Sequence, residues 1–178
     1  MPVLETERLV LRPWRLDDHD VDFAYDLYSR WDVQRYIGRA PRVIADRAEA
    51  EARVARYAAE EHSATHSLSV VERRDAGVPV GVLLLKPIPA SGPTEPLEPS
   101  GDTEIGWHFH PEHWGHGFAG EAAHAVLQRA LDAGLPRVVA VTSPQNEASQ
   151  RVCLRIGMRD AGLTDAYYNV ACRLFIAP

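Results

Sequence analysis

Mixed α/β is the fold class that this sequence predicts, and three observations carry the prediction. Short runs such as VGVLLLK and RVVAVT are dense in Val, Leu and other strand formers. Longer segments repeat their apolar residues at helical spacing. The two kinds alternate, and a strand, a glycine-rich turn, a helix and a strand follow one another from Thr103 to Thr142.

In chain order, Leu9, Val10 and Leu11 read as a first strand stopped by Pro13, and Asp17 and Asp18 supply capping oxygens. A helix follows, with Phe23, Leu27 and Trp31 in one stripe beside Ala24 and Tyr28. A second helix is expected from Asp46 to about Glu61. Ala48, Val54, Tyr57 and Ala58 are assigned to its buried side, and Glu49 and Arg53 to an exposed ion pair. Ser67 to Arg73 and Val80 to Lys86 make a hairpin around Asp75, Ala76 and Gly77. The stretch from Lys86 to Asp102 holds five of the thirteen prolines, so an exposed, mobile loop inserted at about 87–102 is expected.

Thr103 to His110 is the next strand. Ala119 to Ala133 reads as a helix with Ala123, Val126, Leu127, Ala130 and Leu131 inward, ended by Gly134 and Pro136. Arg137 to Thr142 suits a sheet interior. Asn146 opens a further helix, with Ala148, Val152 and Ile156 in one row, closed by Gly157. Tyr167 to Ile176 gives the last strand.

The 178 residues fit a single domain spanning 1–178. The two cysteines, Cys153 and Cys172, form no CxxC pair, and free thiols in a cytoplasmic protein are the simplest reading. No run reaches the apolar length of a membrane span, and the N-terminus lacks a signal-peptide pattern, so no membrane partner is expected. A net charge of -6 argues against nucleic acid as a partner and mildly favours a cationic acceptor. A monomer or homodimer is expected.

The most informative stretch runs from Pro111 to Glu121, with Gly115, Gly117 and Gly120 between a strand and a helix. Glycine lets backbone N–H groups approach a ligand, and a helix N-terminus adds partial positive charge, which together make a pyrophosphate cradle. A tight turn needing glycine for its backbone angles alone is the other reading. The same letters match GxGxxG. A dinucleotide fold, however, needs them at its first βαβ unit with an acid ending the next strand, and RVVAVT has none.

Taken together, EIGWHFHPEHWGHGFAGEA, SPQNEASQRVCLRIGM and the opening ETERLVLRPWRLDD resemble the GNAT acetyltransferase superfamily. Within it, they are similar to the branch that contains the bacterial ribosomal-protein N-terminal acetyltransferases. The resemblance implies a GNAT fold: a mixed, mostly antiparallel sheet of about seven strands, flanked by helices and splayed in the middle. It implies acetyl-CoA as cosubstrate, without a metal, and an amine acceptor. That acceptor is a protein or peptide N-terminus first and a small molecule second, and a non-catalytic CoA-binding module is the rival outside the enzyme class.

By the same resemblance, N–H groups of Gly115, His116, Gly117, Phe118, Ala119 and Gly120 hold the pyrophosphate. Trp107, His108 and Phe109 line the pantetheine arm, and Asn146 and Ser149 touch it from the neighbouring strand-to-helix junction. Trp114 stands where the family usually has Gln or Arg. Glu104 matches an acidic position and is the candidate general base, with a structural hydrogen bond as its other role. Cys153 occupies the place of the usual proton-donating tyrosine. The acid is then this thiol, Ser149 or water, while a small core cysteine is the plainer reading.

Histidines 108, 110, 113, 116 and 124 crowd one segment, which raises a metal reading, but their spacing is irregular and no cysteine completes a set. Trp14, Trp31, Tyr25 and Tyr28 suit either an acceptor groove or the core.

Overall fold

The computed structural model describes residues 4–178. Its strands are β1 (Leu4–Glu5), β2 (Leu9–Pro13), β3 (Ser67–Arg73), β4 (Pro79–Pro89), β5 (Pro99–Phe109), β6 (Val138–Thr142), β7 (Arg159–Thr164) and β8 (Cys172–Ile176). They form one sheet in the order β1-β2-β3-β4-β5-β6-β8-β7. Every pairing is antiparallel except β5 with β6. Among the described residues the sheet has eight strands rather than about seven. The two that sequence reading missed are weak signals: β1 has two residues, and β7 (RDAGLT) carries a glycine and little apolar content.

Helices α1 (Asp18–Tyr28), α2 (Trp31–Gln34) and α3 (Arg47–Ala58) precede β3, while α4 (Phe118–Asp132) and α5 (Glu147–Arg155) flank β6. Strand alternation sorts the core into two sides. Leu83, Ile105 and Phe109 bury themselves with Phe118, Ala122 and Val126 of α4. Val70 and Val82 point the opposite way, to Ala24 and Leu27 of α1 and Val54 of α3. No helix among the described residues is long and apolar enough to cross a membrane.

Several helix faces differ from expectation. The first helix stops at Tyr28 and restarts at Trp31, which rotates the stripe. Val21, Ala24, Leu27 and Tyr28 are buried, and Trp31 is exposed. In α3 the buried alanine is Ala50, and Ala48 faces solvent. Glu49 pairs with Arg42 instead of Arg53, because Arg53 is drawn over the Tyr28 ring, 4.3 Å from its centroid. In α5, Ala148 is exposed, and Cys153 and Ile156 are buried.

Both ends of the proline-rich stretch are strand, because β4 runs on to Pro89 and β5 begins at Pro99, which leaves residues 91–98 as the loop. Pairing of β3 with β4 ends at Ser67 and Leu85. Pro87 and Pro89 therefore lie on an open edge where a missing N–H breaks no ladder. The tip is also docked. Ser91 N–H donates to the Ala166 carbonyl (2.7 Å) and Ser91 Oγ to the Asp165 carbonyl (2.5 Å). Asn169 exchanges two hydrogen bonds with the Gly92 backbone. The last strand starts at Cys172, leaving residues 165–171 to make this loop-to-loop contact.

Candidate active site

Strands β5 and β6 pair only at Thr103 with Val138 and Glu104 with Val139. The His110 N–H donates to the Val80 carbonyl (2.9 Å), so the even-numbered backbone groups of β5 serve β4. The odd-numbered ones face β6, and Thr103 N–H accordingly reaches the Arg137 carbonyl (3.4 Å). Past Glu104, β6 has no residue in register. Ile105, Trp107 and Phe109 thus direct their in-plane N–H groups into a splayed gap. Trp114, in the position expected of Gln or Arg, sends its indole N–H to the Phe109 carbonyl (2.7 Å).

At the mouth of this gap lies the glycine turn. Gly115 and Gly117 both have φ of +80°, a left-handed conformation that glycine adopts without the Cβ penalty. Gly117 caps α4 with no side chain on the helix end. Among the described residues, no acceptor meets the N–H groups from Gly115 through Gly120, while Glu121 N–H begins the helix ladder on the Gly117 carbonyl. The turn is held from outside. Arg8 donates through Nε to Glu121 (2.7 Å) and through Nη1 to the His116 carbonyl (3.0 Å), and its guanidinium covers the Phe118 ring. Sequence reading missed Arg8, since nothing in its local pattern points 113 residues ahead. It also missed Arg155, whose Cδ would lie 3.7 Å from a Cβ added at Gly120.

Across the gap, Asn146 caps α5: its Oδ1 accepts the Ser149 N–H (3.2 Å). Cys153 sits one turn deeper and is fully buried in the core cluster that holds Ile105, Ala123 and Phe175. Burial pushes its thiol up to about 12. This placement agrees with a small core residue and gives the thiol no open path to a leaving group.

Glu104 and His108 alternate onto the opposite sheet face, toward α1 and α3. Glu104 is buried and accepts a hydrogen bond from the Tyr168 hydroxyl (2.5 Å). Burial raises the pKa of its carboxyl, and the Tyr168 hydrogen bond and the charge of Lys86 oppose that rise. Tyr168 and Asn169 take left-handed φ values of 57° and 54°. Such backbone costs a non-glycine residue about 1 kcal/mol or more, so the packed loops must hold it. Tyr168 was not foreseen, since a single tyrosine in a loop carries no pattern.

The His108 ring lies 3.1 Å from the Tyr28 hydroxyl through Nδ1. Burial, with Arg53 and Lys86 nearby, lowers its pKa to about 4, so it is uncharged near neutral pH. Tyr28 and Trp14 are core residues, whereas Trp31 and Tyr25 are exposed. The histidines do not converge on one point: His108 faces Tyr28, His110 is buried, and His116 is exposed beside Phe118. Among the described residues, three candidate metal ligands come together only at Asp17, His19 and Asp20, where Asp20 is already bound to Arg12.

A family model described as Acetyltransferase (GNAT) domain matches residues 8–159. An uncharacterized N-acetyltransferase of Bacillus subtilis (strain 168), YoaA, is 30% identical over 167 residues, 93% of this chain and 88% of that protein. Among solved structures, an acetyltransferase from Agrobacterium tumefaciens str. C58 is 25% identical with a TM-score of 0.74, covering 100% of this chain and 95% of that one. RimL, a ribosomal L7/L12 alpha-N-protein acetyltransferase solved with coenzyme A, shares the fold at a TM-score of 0.74 and 15% identity, over 98% of this chain and 97% of that one. With a splayed sheet, a glycine turn capping α4 and a family match over most of its length, this chain belongs to the GNAT family and is an N-acetyltransferase.

Proposed function

We propose that this protein transfers an acetyl group from acetyl-CoA to the N-terminal amine of a protein or peptide, directly, in a ternary complex. The observation that carries the cosubstrate assignment is the run of N–H groups from Gly115 to Gly120 that meet no acceptor among the described residues, beside the unpaired edge of β5. Such a run at a helix N-terminus fits a pyrophosphate without basic side chains. RimL, which shares the fold, was solved with coenzyme A.

Acetyl-CoA supplies an acyl group activated as a thioester. Residues 115–120 would hold its diphosphate, and the free edge of Trp107 and Phe109 would align the pantetheine amides. Asn146 and Ser149 would line the arm from the far wall. The Phe109 N–H would polarise the acyl carbonyl, a donor that needs no reorganisation when charge develops.

On the other face, Glu104 takes the proton of the acceptor ammonium through a water, and its raised pKa suits it to that task. Uncharged His108, fixed by Tyr28, is a second proton acceptor within the same face. The leaving thiolate is protonated by water, with Ser149 beside the arm and Cys153 remaining in the core. The setting is cytoplasmic, as a monomer or homodimer.

An acceptor panel tests the reading, with acetyl-CoA turnover as the readout. Peptides with free N-termini should be acetylated, and the same peptides blocked at the terminus should not. Turnover of aminoglycosides or polyamines, with every peptide inert, would replace the protein acceptor by a small amine.

A further inference from the structure

Of the 19 Lys and Arg residues, Lys86 alone is a lysine. The β4–β5 register sets it opposite Glu104, so both side chains stand on the face covered by α1 and α3. Lys86 is half-buried, with its Nζ 5.6 Å from the centroid of the Tyr168 ring. Glu104, the carboxylate across from it, is engaged by the Tyr168 hydroxyl. Among the described residues Lys86 makes no ion pair.

Arg53 reaches the same face from α3. It stacks on the Tyr28 ring and donates to the Tyr57 hydroxyl (3.5 Å), again with no carboxylate in ion-pair range among the described residues. His108, between them, is uncharged. Lys86 and Arg53, both partly buried, therefore act on the same His108 ring, with Glu104 the carboxylate opposite Lys86, while Asp20 and Glu72 elsewhere on this face are taken up by Arg12. It is this local arrangement, and not the net charge of -6, that an acceptor meets.

A half-buried ammonium that feels Glu104 only from beyond ion-pair range keeps part of its desolvation cost, and an anion delivered by a ligand relieves that cost. The same two cations disfavour a charged acceptor amine and so lower its pKa toward the reactive neutral form. We propose that Lys86 selects acceptors that carry a carboxylate beside the amine, namely peptide N-termini with Asp or Glu in the first two positions. This rests on the reading that the acceptor is a peptide N-terminus. It reverses the cationic preference that whole-chain charge suggests.

The test compares kcat/KM for peptides identical except for Asp, Glu, Ser or Lys at the first position. It uses the wild-type enzyme, Lys86→Gln and Lys86→Glu, each checked for folding by acetyl-CoA calorimetry. The wild type should prefer the acidic peptides over the Ser peptide by about tenfold, the scale of one partly buried charge contact. Lys86→Gln should level the series, and Lys86→Glu should move the preference to the Lys peptide. The readout is the ratio between peptides, which a merely structural lysine would leave unmoved while all rates fell together.

Equal rates on all four peptides, or a ratio unmoved in both variants, overturns the proposal and leaves N-terminal acetylation standing. Acetylation of free aspartate or glutamate with every peptide inert overturns the peptide acceptor but keeps the selection of an anion. No turnover of any of these acceptors overturns both.

Discussion

The Tyr168 hydroxyl donates a hydrogen bond of 2.5 Å to Glu104, a residue 64 positions earlier in the chain. The bond joins the loop before β8 to the strand that lines the splayed gap, and it opposes the effect of burial on the carboxyl.

That opposition gives the first prediction. A general base works only when deprotonated, so the rate falls as pH drops through its pKa. Burial places that fall above the ordinary carboxylate value. Tyr168→Phe removes a contribution that lowers the pKa, so the acidic limb of the pH–rate profile should move to higher pH. Glu104→Gln should slow the chemical step roughly a hundredfold with acetyl-CoA affinity unchanged. A Glu104→Gln enzyme with wild-type turnover at every pH would make the carboxylate structural and pass the proton to His108, His110 or water.

The second concerns the cradle. Gly117→Trp should abolish acetyl-CoA binding in calorimetry, because a Cβ there lies 3.5 Å from Arg8 Nη2 and the added ring would displace the guanidinium that holds the turn in place. The left-handed φ of +80° adds about 1–2 kcal/mol of destabilisation, visible in urea unfolding. Unchanged affinity in the folded variant would remove the turn from the cosubstrate site.

Cys153→Ala is the third. With the thiol fully buried, the variant should lose about 1 kcal/mol of stability to the small cavity. Its kcat should stay within about twofold of the wild type, since a donor step contributes much more than that. A fall as large as that of Glu104→Gln, with unchanged unfolding, would restore the thiol as the acid.

The fourth tests the support of the α1 side. Arg12 is buried between Asp20 (2.6 Å) and Glu72 (2.5 Å), and Asp20 is itself fully buried. Asp20→Asn should cost about 3 kcal/mol in denaturant unfolding, because it leaves a buried guanidinium short of one counter-charge. The hydrogen bonds from Arg12 and Arg15 hold the Asp20 pKa below its usual value despite its burial. A depressed carboxylate stabilises the fold above its unfolded pKa, and that stability is lost as pH falls from about 4 through the folded value. Acid unfolding of Asp20→Asn should therefore be less steep than that of the wild type below about pH 4.

Much of this architecture was legible in one dimension. Strand and helix periods, Gly134 and Gly157 at helix ends, and the Asp17, Asp46 and Asn146 caps are local signals that survive packing. The proline-rich stretch was misread for a physical reason. Proline excludes a central strand but not an edge, and only the end of β3 at Ser67 makes Pro87 and Pro89 edge residues.

The α1 stripe was misplaced because a two-residue break before Trp31 shifts the helical phase. Arg53 left its expected partner for an aromatic face 25 residues away in sequence, and Glu49 paired with Arg42 instead. The sequence alone determined the order of elements and the glycine turn, together with the resemblance to one family, because each of these is written in neighbouring residues. Tertiary structure decided which groups face one another: Tyr168 on Glu104, Lys86 opposite it, Cys153 in the core, and an edge of β5 left unpaired. Those are contacts between segments far apart in the chain. Register and strand divergence set them, and no local pattern encodes either.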